Sequence, residues 1–152
     1  MVGLVKADGD WARMRFAQAR VARLATVSAE GVPHLVPITF AVLGDTIVSA
    51  VDHKPKSTTR LRRLSNIAAN PSVSVLVDDY HDDWTRLWWA RADGLARAVL
   101  DGPQFGTAVA ALVRRYAQYR DLAPAGPVIV IDVSRWSGWA AQFGGGDTPR
   151  TP

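Results

Sequence analysis

The chain has 152 residues, 48% hydrophobic and 21% charged, with a formal charge of +4; it is long enough for one domain with its own core and too apolar for a disordered chain. It contains no cysteine, which excludes a disulfide framework, a thiolate nucleophile and a cysteine-based metal site. No apolar run approaches the roughly 18–20 residues that span a bilayer, and no signal-like stretch precedes the first acidic residues of MVGLVKADGDW, so a cytoplasmic protein with no membrane partner is the simplest reading.

Residues 9–20 (GDWARMRFAQAR) have helical spacing, with Asp10 as a cap and Trp11, Met14 and Ala17 along one face. Alternation then takes over in 21–28 (VARLATVS), and AEGVP follows as turn chemistry. Two more β-rich runs, 34–43 (HLVPITFAVL) and 46–51 (TIVSAV), are joined by Gly44-Asp45, which predicts an antiparallel meander. Pro37 has no N–H to give a ladder and calls for an edge or a bulge.

The segment DHKPKSTTRLRR (52–63) follows. Lys54, Lys56, Arg60, Arg62 and Arg63 place five cations in ten positions, with Ser57, Thr58 and Thr59 among them. Pro55 cannot sit inside a helix, but Ser57 or Thr58 can cap one running to about residue 69, with Leu61, Leu64, Ile67 and Ala68 as its apolar stripe. Asn70-Pro71 stops it. A short strand over 72–77 leads to an acidic loop, DDYHDD (78–83), and then to a long strand over 87–100. Ala90, Ala92, Gly94 and Ala96 share one side of that strand, which suits close approach of another backbone or a flat ligand. Gly102-Pro103 opens a helix to about residue 119, with Phe105, Val109, Leu112, Val113 and Tyr116 on one face. The last strand, 128–133 (VIVIDV), alternates so weakly that both its faces are expected to be buried. Residues 1–140 form the expected domain, and 141–152 read as a disordered tail. Six strands, a tight meander and a few helices predict a mainly β chain forming a small barrel, not a doubly wound parallel sheet.

A helix start offers unpaired N–H groups and partial positive charge, so KPKST leading into a helix would hold a phosphate well. It is not a Walker loop, and a solvated, capped turn is the plainer alternative. His34, His53 and His81 lie too far apart in sequence to suggest a metal pair, and DDYHDD lacks EF-hand spacing. No nucleophile motif is present, so no catalytic side chain and no metal ligand are assigned; a cofactor would have to carry any reaction. Six tryptophans are many for this length. They suit a core, a subunit interface, or a wall for a flat heteroaromatic. Basicity concentrated beside an acidic loop fits a local anion pocket better than the broad basic face of a nucleic-acid binder.

The runs RLATVSAEGVPHLVPITFAV (23–42), DHKPKSTTRLRRLSNIAANPSVSVLVDDY (52–80) and DWTRLWWARADGLARAVL (83–100) resemble the split β-barrel superfamily of pyridoxamine-phosphate-oxidase-like flavoproteins. More narrowly, the chain is similar to actinobacterial deazaflavin-dependent oxidoreductases that use coenzyme F-420. The resemblance spans roughly residues 12–140. It implies a six-stranded antiparallel split barrel that forms a homodimer, with cofactor sites in clefts between subunits. It places the phosphate near Lys54, Lys56, Ser57 and Thr58, with Arg63 a further candidate because relatives with a shorter connection carry their lysine there. The ring system would lie against Pro37, Ile38, Thr39, Ser49, Ala50 and Val51. Trp84 or Trp88 would wall the site from the other subunit. The implied activity is hydride transfer between F-420 and a small organic molecule. FMN in the same fold, as an oxidase or reductase, and a non-catalytic cofactor carrier remain the alternatives.

Overall fold

The computed structural model describes residues 3–51 and 61–142. Strand β1 (Gly3–Ala7) precedes helix α1 (Gly9–Gln18). The carboxylate of Asp8, not Asp10, caps α1 by accepting from the Trp11 amide at 2.7 Å. The helix buries Trp11, Ala12 and Phe16, so Ala17 of the expected stripe stays outside. Strands β2 (Ala22–Val27), β3 (Pro33–Ile38), β4 (Ala41–Leu43) and β5 (Thr46–Ala50) follow. After helix α2 (Arg62–Ala69) come β6 (Ser72–Asp79), a 3-10 turn (Trp84–Arg86) and β7 (Trp88–Val99). Helices α3 (Gly102–Arg115) and α4 (Gln118–Asp121) and strand β8 (Val128–Gln142) complete the chain.

Every strand pairing is antiparallel, in the order β3-β2-β6-β7-β8-β5-β4, with β1 beside the far half of β8. The two edge strands, β3 and β4, are consecutive in the chain and joined by only Thr39 and Phe40. A sheet whose opposite edges are tied by two residues must curl until those edges adjoin. The chain itself, not a hydrogen-bonded ladder, closes the barrel, and this is the split barrel expected from the sequence. Pro37 sits on the β3 edge, where no ladder needs its missing N–H.

The strand count is eight where six were expected. The run 34–43 breaks at Thr39–Phe40 because the corner between the two edges falls there, and β1 adds a strand too short to read from its alternation. Three other boundaries shift. Leu61 is extended (φ −68°, ψ 135°) and holds the N-cap position, so α2 begins at Arg62; the expected caps, Ser57 and Thr58, lie outside the described residues. The helix expected to run to about residue 119 ends at Arg115, with α4 a separate turn. Strand β8 continues through Gln142, past the residue-140 boundary, because β7 and β1 pair with its second half; residues 143–152 of the expected tail lie outside the described residues.

The barrel interior holds Phe16, Leu24, Ile38, Phe40, Ile47, Val75, Val77, Ile129 and Ile131. A second cluster forms where α3 covers the sheet: Val48, Ala50, Val128 and Val130 against Ala108, Leu112 and Tyr116. Val128–Ile131 therefore have no exposed face, which is why their sequence does not alternate. Ala90, Ala92 and Ala96 line the interior on the small side of β7.

Candidate functional site

Helix α2 turns an unexpected face inward. Its buried residues are Arg63, Asn66 and Ile67, with Leu64 packed partly against the core. Arg63 and Asn66, three residues apart, share a helix face. Asn66 Nδ2 donates to the Thr26 hydroxyl of β2 at 3.0 Å, deep in the interior. Thr26 is in register with His34 of β3, and His34 Nδ1 is buried with no hydrogen-bond partner among the described residues. Arg63 is only 8% exposed, and none of the ion pairs among the described residues involves it. A buried guanidinium is costly without a compensating anion. This end of the β2–β3 ladder thus presents Asn66, Thr26 and His34 as a polar group, with Arg63 buried on the same face of α2 as Asn66. Asn66→Ala should cost about 1–3 kcal/mol in a urea melt, because it leaves the Thr26 hydroxyl buried without this donor; adding Thr26→Val should recover part of that loss.

The opposite end of the ladder, where Ala22 pairs with Ile38, leads into the Thr39–Phe40 corner. Four residues separate the ends, about 13 Å at ~3.3 Å per residue. Ser49 donates its hydroxyl to the Thr39 carbonyl at 2.7 Å, and Tyr119 Oη lies 2.8 Å from Thr39 Oγ1. The residues expected around a ring do not all face one way. Ile38 is in the barrel core, Pro37 is exposed on the outer side, Ser49 is fully buried, and Ala50 packs under α3. Thr39 and Val51 are half-buried, and the Val51 amide donates to the Pro127 carbonyl at 3.2 Å. Lys54, Lys56, Ser57 and Thr58 lie outside the described residues.

The two tryptophans proposed as a wall differ sharply. Trp88 is engaged within its own chain: Trp11 meets it edge-on at 6.0 Å, and the Arg15 guanidinium lies 4.5 Å from its ring centroid. Burial lowers the pKa of Arg15, and Asp79 partly offsets this. Trp84 is 67% exposed and lines a groove of about 430 Å³ with Leu4, Tyr80 and Leu87. The 3-10 turn that carries it is capped by Asp83, whose carboxylate accepts from the Thr85 hydroxyl at 2.6 Å and the Thr85 amide at 3.1 Å. Those hydrogen bonds, the hydroxyl's first, hold the Asp83 carboxyl below its ordinary range. Along β8, Ser49 stands beside Ile129 and Trp88 beside Ala140. Eleven residues separate those positions, roughly 35 Å of strand at ~3.3 Å per residue.

Among the described residues, no group of three histidine, cysteine or acidic residues could hold a metal, and no helix is long and apolar enough to cross a membrane.

A family model described as pyridoxamine 5'-phosphate oxidase matches residues 10–140. The chain belongs to this family. No curated protein matches the sequence. Among solved structures, the chain is similar to an FAD-binding protein from Mesorhizobium loti, with 20% identity and a TM-score of 0.70 over 94% of this chain and 100% of that one. It is also similar to the FAD binding protein from Mycobacterium smegmatis, with 19% identity and a TM-score of 0.60 over 88% of this chain and 96% of the other. A heme binding protein from Mycobacterium smegmatis shares 24% identity at a TM-score of 0.62, over 88% of this chain and 50% of that one. At these identities the likeness shows the shared split-barrel fold.

From sequence, His34 is weighed only as a metal ligand and Tyr116 only as part of an apolar helix face, while Thr26, Asn66 and Tyr119 carry no assignment. Asparagine in the middle of a short amphipathic helix was the available signal for Asn66. The others are joined by contacts between distant segments and left no local mark.

Proposed function

We propose that this member of the pyridoxamine 5'-phosphate oxidase family binds coenzyme F-420 in a cleft between two copies of the chain and transfers hydride between it and a small organic molecule. The observation that carries the proposal is Arg63, a buried cation on the same face of α2 as Asn66, with no carboxylate partner among the described residues. A phosphate there would compensate the guanidinium through charge-assisted hydrogen bonds. From His34 to Thr39 the strand runs five residues, roughly 16 Å at ~3.3 Å per residue, room for a sugar-alcohol phosphate together with part of a ring. Bound there, the deazaflavin supplies the hydride chemistry. The chain's residues anchor its phosphate, orient its ring against the corner and exclude water, with no side chain assigned to the chemical step. Lys54, Lys56 and Arg60 stand in the sequence just ahead of α2, where they would attract the acidic tail of F-420.

In this reading a cleft floored by the Thr39–Ser49 corner takes Trp84, which is 67% exposed, as a wall from a second chain. The outer faces of β3 and β7 expose Leu35 and Leu95 to such a partner. Light scattering should give the mass of a dimer, and a monomer that binds cofactor with full affinity would refute the shared cleft.

FMN is the second reading, favoured by the two FAD-binding neighbours. Because FMN has no polyanionic tail, F-420 affinity should fall several-fold more than FMN affinity between low and roughly 0.5 M salt. Tighter FMN binding with the weaker salt dependence would assign the site to FMN.

A further inference from the structure

Beside the paired ends of β1, β7 and β8, two aromatic rings are left uncovered. Among the described residues, the rings of Trp11, Trp88, Trp89, Trp136 and Trp139 each meet another ring or an arginine. Those of Trp84 and Tyr80 meet neither among the described residues, and the two side chains are 67% and 56% exposed. With Leu4 and Leu87 they line the groove of about 430 Å³, a size that suits a small molecule.

The loop that joins these two rings is acidic. Residues 78–86 carry Asp78, Asp79, Asp82 and Asp83 against one arginine, Arg86. Asp78 lies 3.9 Å from Arg23, but neither Asp82 nor Asp83 is in an ion pair among the described residues. Asp83 is held in place as the cap of the 3-10 turn that carries Trp84. An exposed indole or phenol face attracts a cation through its quadrupole, and carboxylates beside it reinforce that attraction. The chain stacks its own cations in this way: the Arg15 guanidinium lies 4.5 Å from the Trp88 centroid, and that of Arg91 lies 5.7 Å from the Trp89 centroid.

We propose that the Trp84–Tyr80 groove binds an organic cation of the quaternary ammonium or N-alkylated heteroaromatic class. The lining explains that class. Its side chains offer only the Tyr80 hydroxyl and the Trp84 indole N–H as polar groups. A primary ammonium would give up water at its N–H donors with too few acceptors to replace it. A cation whose charge is spread over methyl or ring carbons loses less. The proposal goes beyond the cofactor reading and needs neither the Thr39 corner nor Arg63.

The test is calorimetric titration of the full chain with N-methylquinolinium, with quinoline, its near-isostere that is uncharged at neutral pH, and with the anion naphthoate. N-methylquinolinium should bind about tenfold more tightly than quinoline, and naphthoate should bind most weakly. Trp84→Leu should lower cation affinity about tenfold and quinoline affinity much less, while Trp84→Phe recovers part of the loss. Asp82→Asn, chosen because Asp83 caps the turn, should weaken the cation a few-fold and flatten its salt dependence. In a nuclear magnetic resonance spectrum, the indole N–H signal missing from Trp84→Leu should be the one that the cation moves. Equal affinities for the cation and quinoline would overturn the proposal, as would cation binding that survives Trp84→Leu intact. No arm contains F-420 or FMN, so the cofactor reading stands or falls on its own titration.

Discussion

Arg63→Met is expected to lower cofactor affinity about 100-fold while leaving the melting temperature unchanged or higher. Hydrogen bonds to charged groups contribute about 1.5–3 kcal/mol, and about 1.4 kcal/mol is a tenfold change in affinity, so losing a guanidinium–phosphate contact falls in that range. Stability should move the other way. Arg63 is 8% exposed, and no described carboxylate pairs with it. Methionine fills similar space without the desolvation cost of a buried cation, and such replacements are often neutral or stabilising. Opposite signs for binding and stability are what separate a ligand-holding arginine from a structural one. Calorimetric titration and thermal melts on the same preparation read both. A melting temperature many degrees lower with cofactor affinity unchanged would show that Arg63 serves the fold alone.

Gly94→Ala is expected to destabilise the protein by about 3 kcal/mol or more, the upper end of what inserted methyl groups usually cost. Gly94 sits at the irregularity between β7 and β8, where Asp93 pairs with Arg135 but Gly94 with Val133. A methyl group there would lie 2.2 Å from the Asp132 carbonyl oxygen, 2.9 Å from its carbon and 3.0 Å from Val133 Cα. All three are backbone atoms, so no rotamer change relieves the clash. The strands must part instead, and β7–β8 is the longest pairing in the sheet. For a chain of this size the loss corresponds to roughly 6–12 °C in Tm. Gly106, in the exposed middle of α3 with nothing within 4 Å of a built methyl group, is the control. Its replacement by alanine should stabilise by about 0.5–1 kcal/mol. Denaturant melts of the two variants should diverge in sign; a Gly94→Ala protein as stable as the original would mean that this approach is looser than it looks.

Where alternation and turn chemistry act locally, the sequence was legible. Val128–Ile131 lacks alternation because both faces are buried, Pro37 marks an edge, and the small side of β7 marks a backbone approach at Gly94. The break at Thr39–Phe40 was not legible, since ITFAV reads as continuous strand and only the meeting of the sheet's edges interrupts it. The buried face of α2 was misread for a related reason. An apolar stripe assumes a dry core, whereas Arg63 and Asn66 are buried and Asn66 bonds to Thr26. Trp88 looked as available as Trp84 because no one-dimensional pattern reveals that Arg15 and Trp11 occupy its ring. Arg63 alone of the expected phosphate residues lies among the described residues.

Titration of the purified protein with reduced F-420 and with FMN in parallel, followed by absorbance and fluorescence, is the most direct test of cofactor binding at the barrel corner. Saturation at one cofactor per chain, tighter for F-420 than for FMN, is the expected result. Absence of saturable binding of either at millimolar concentration, roughly −4 kcal/mol, would contradict it.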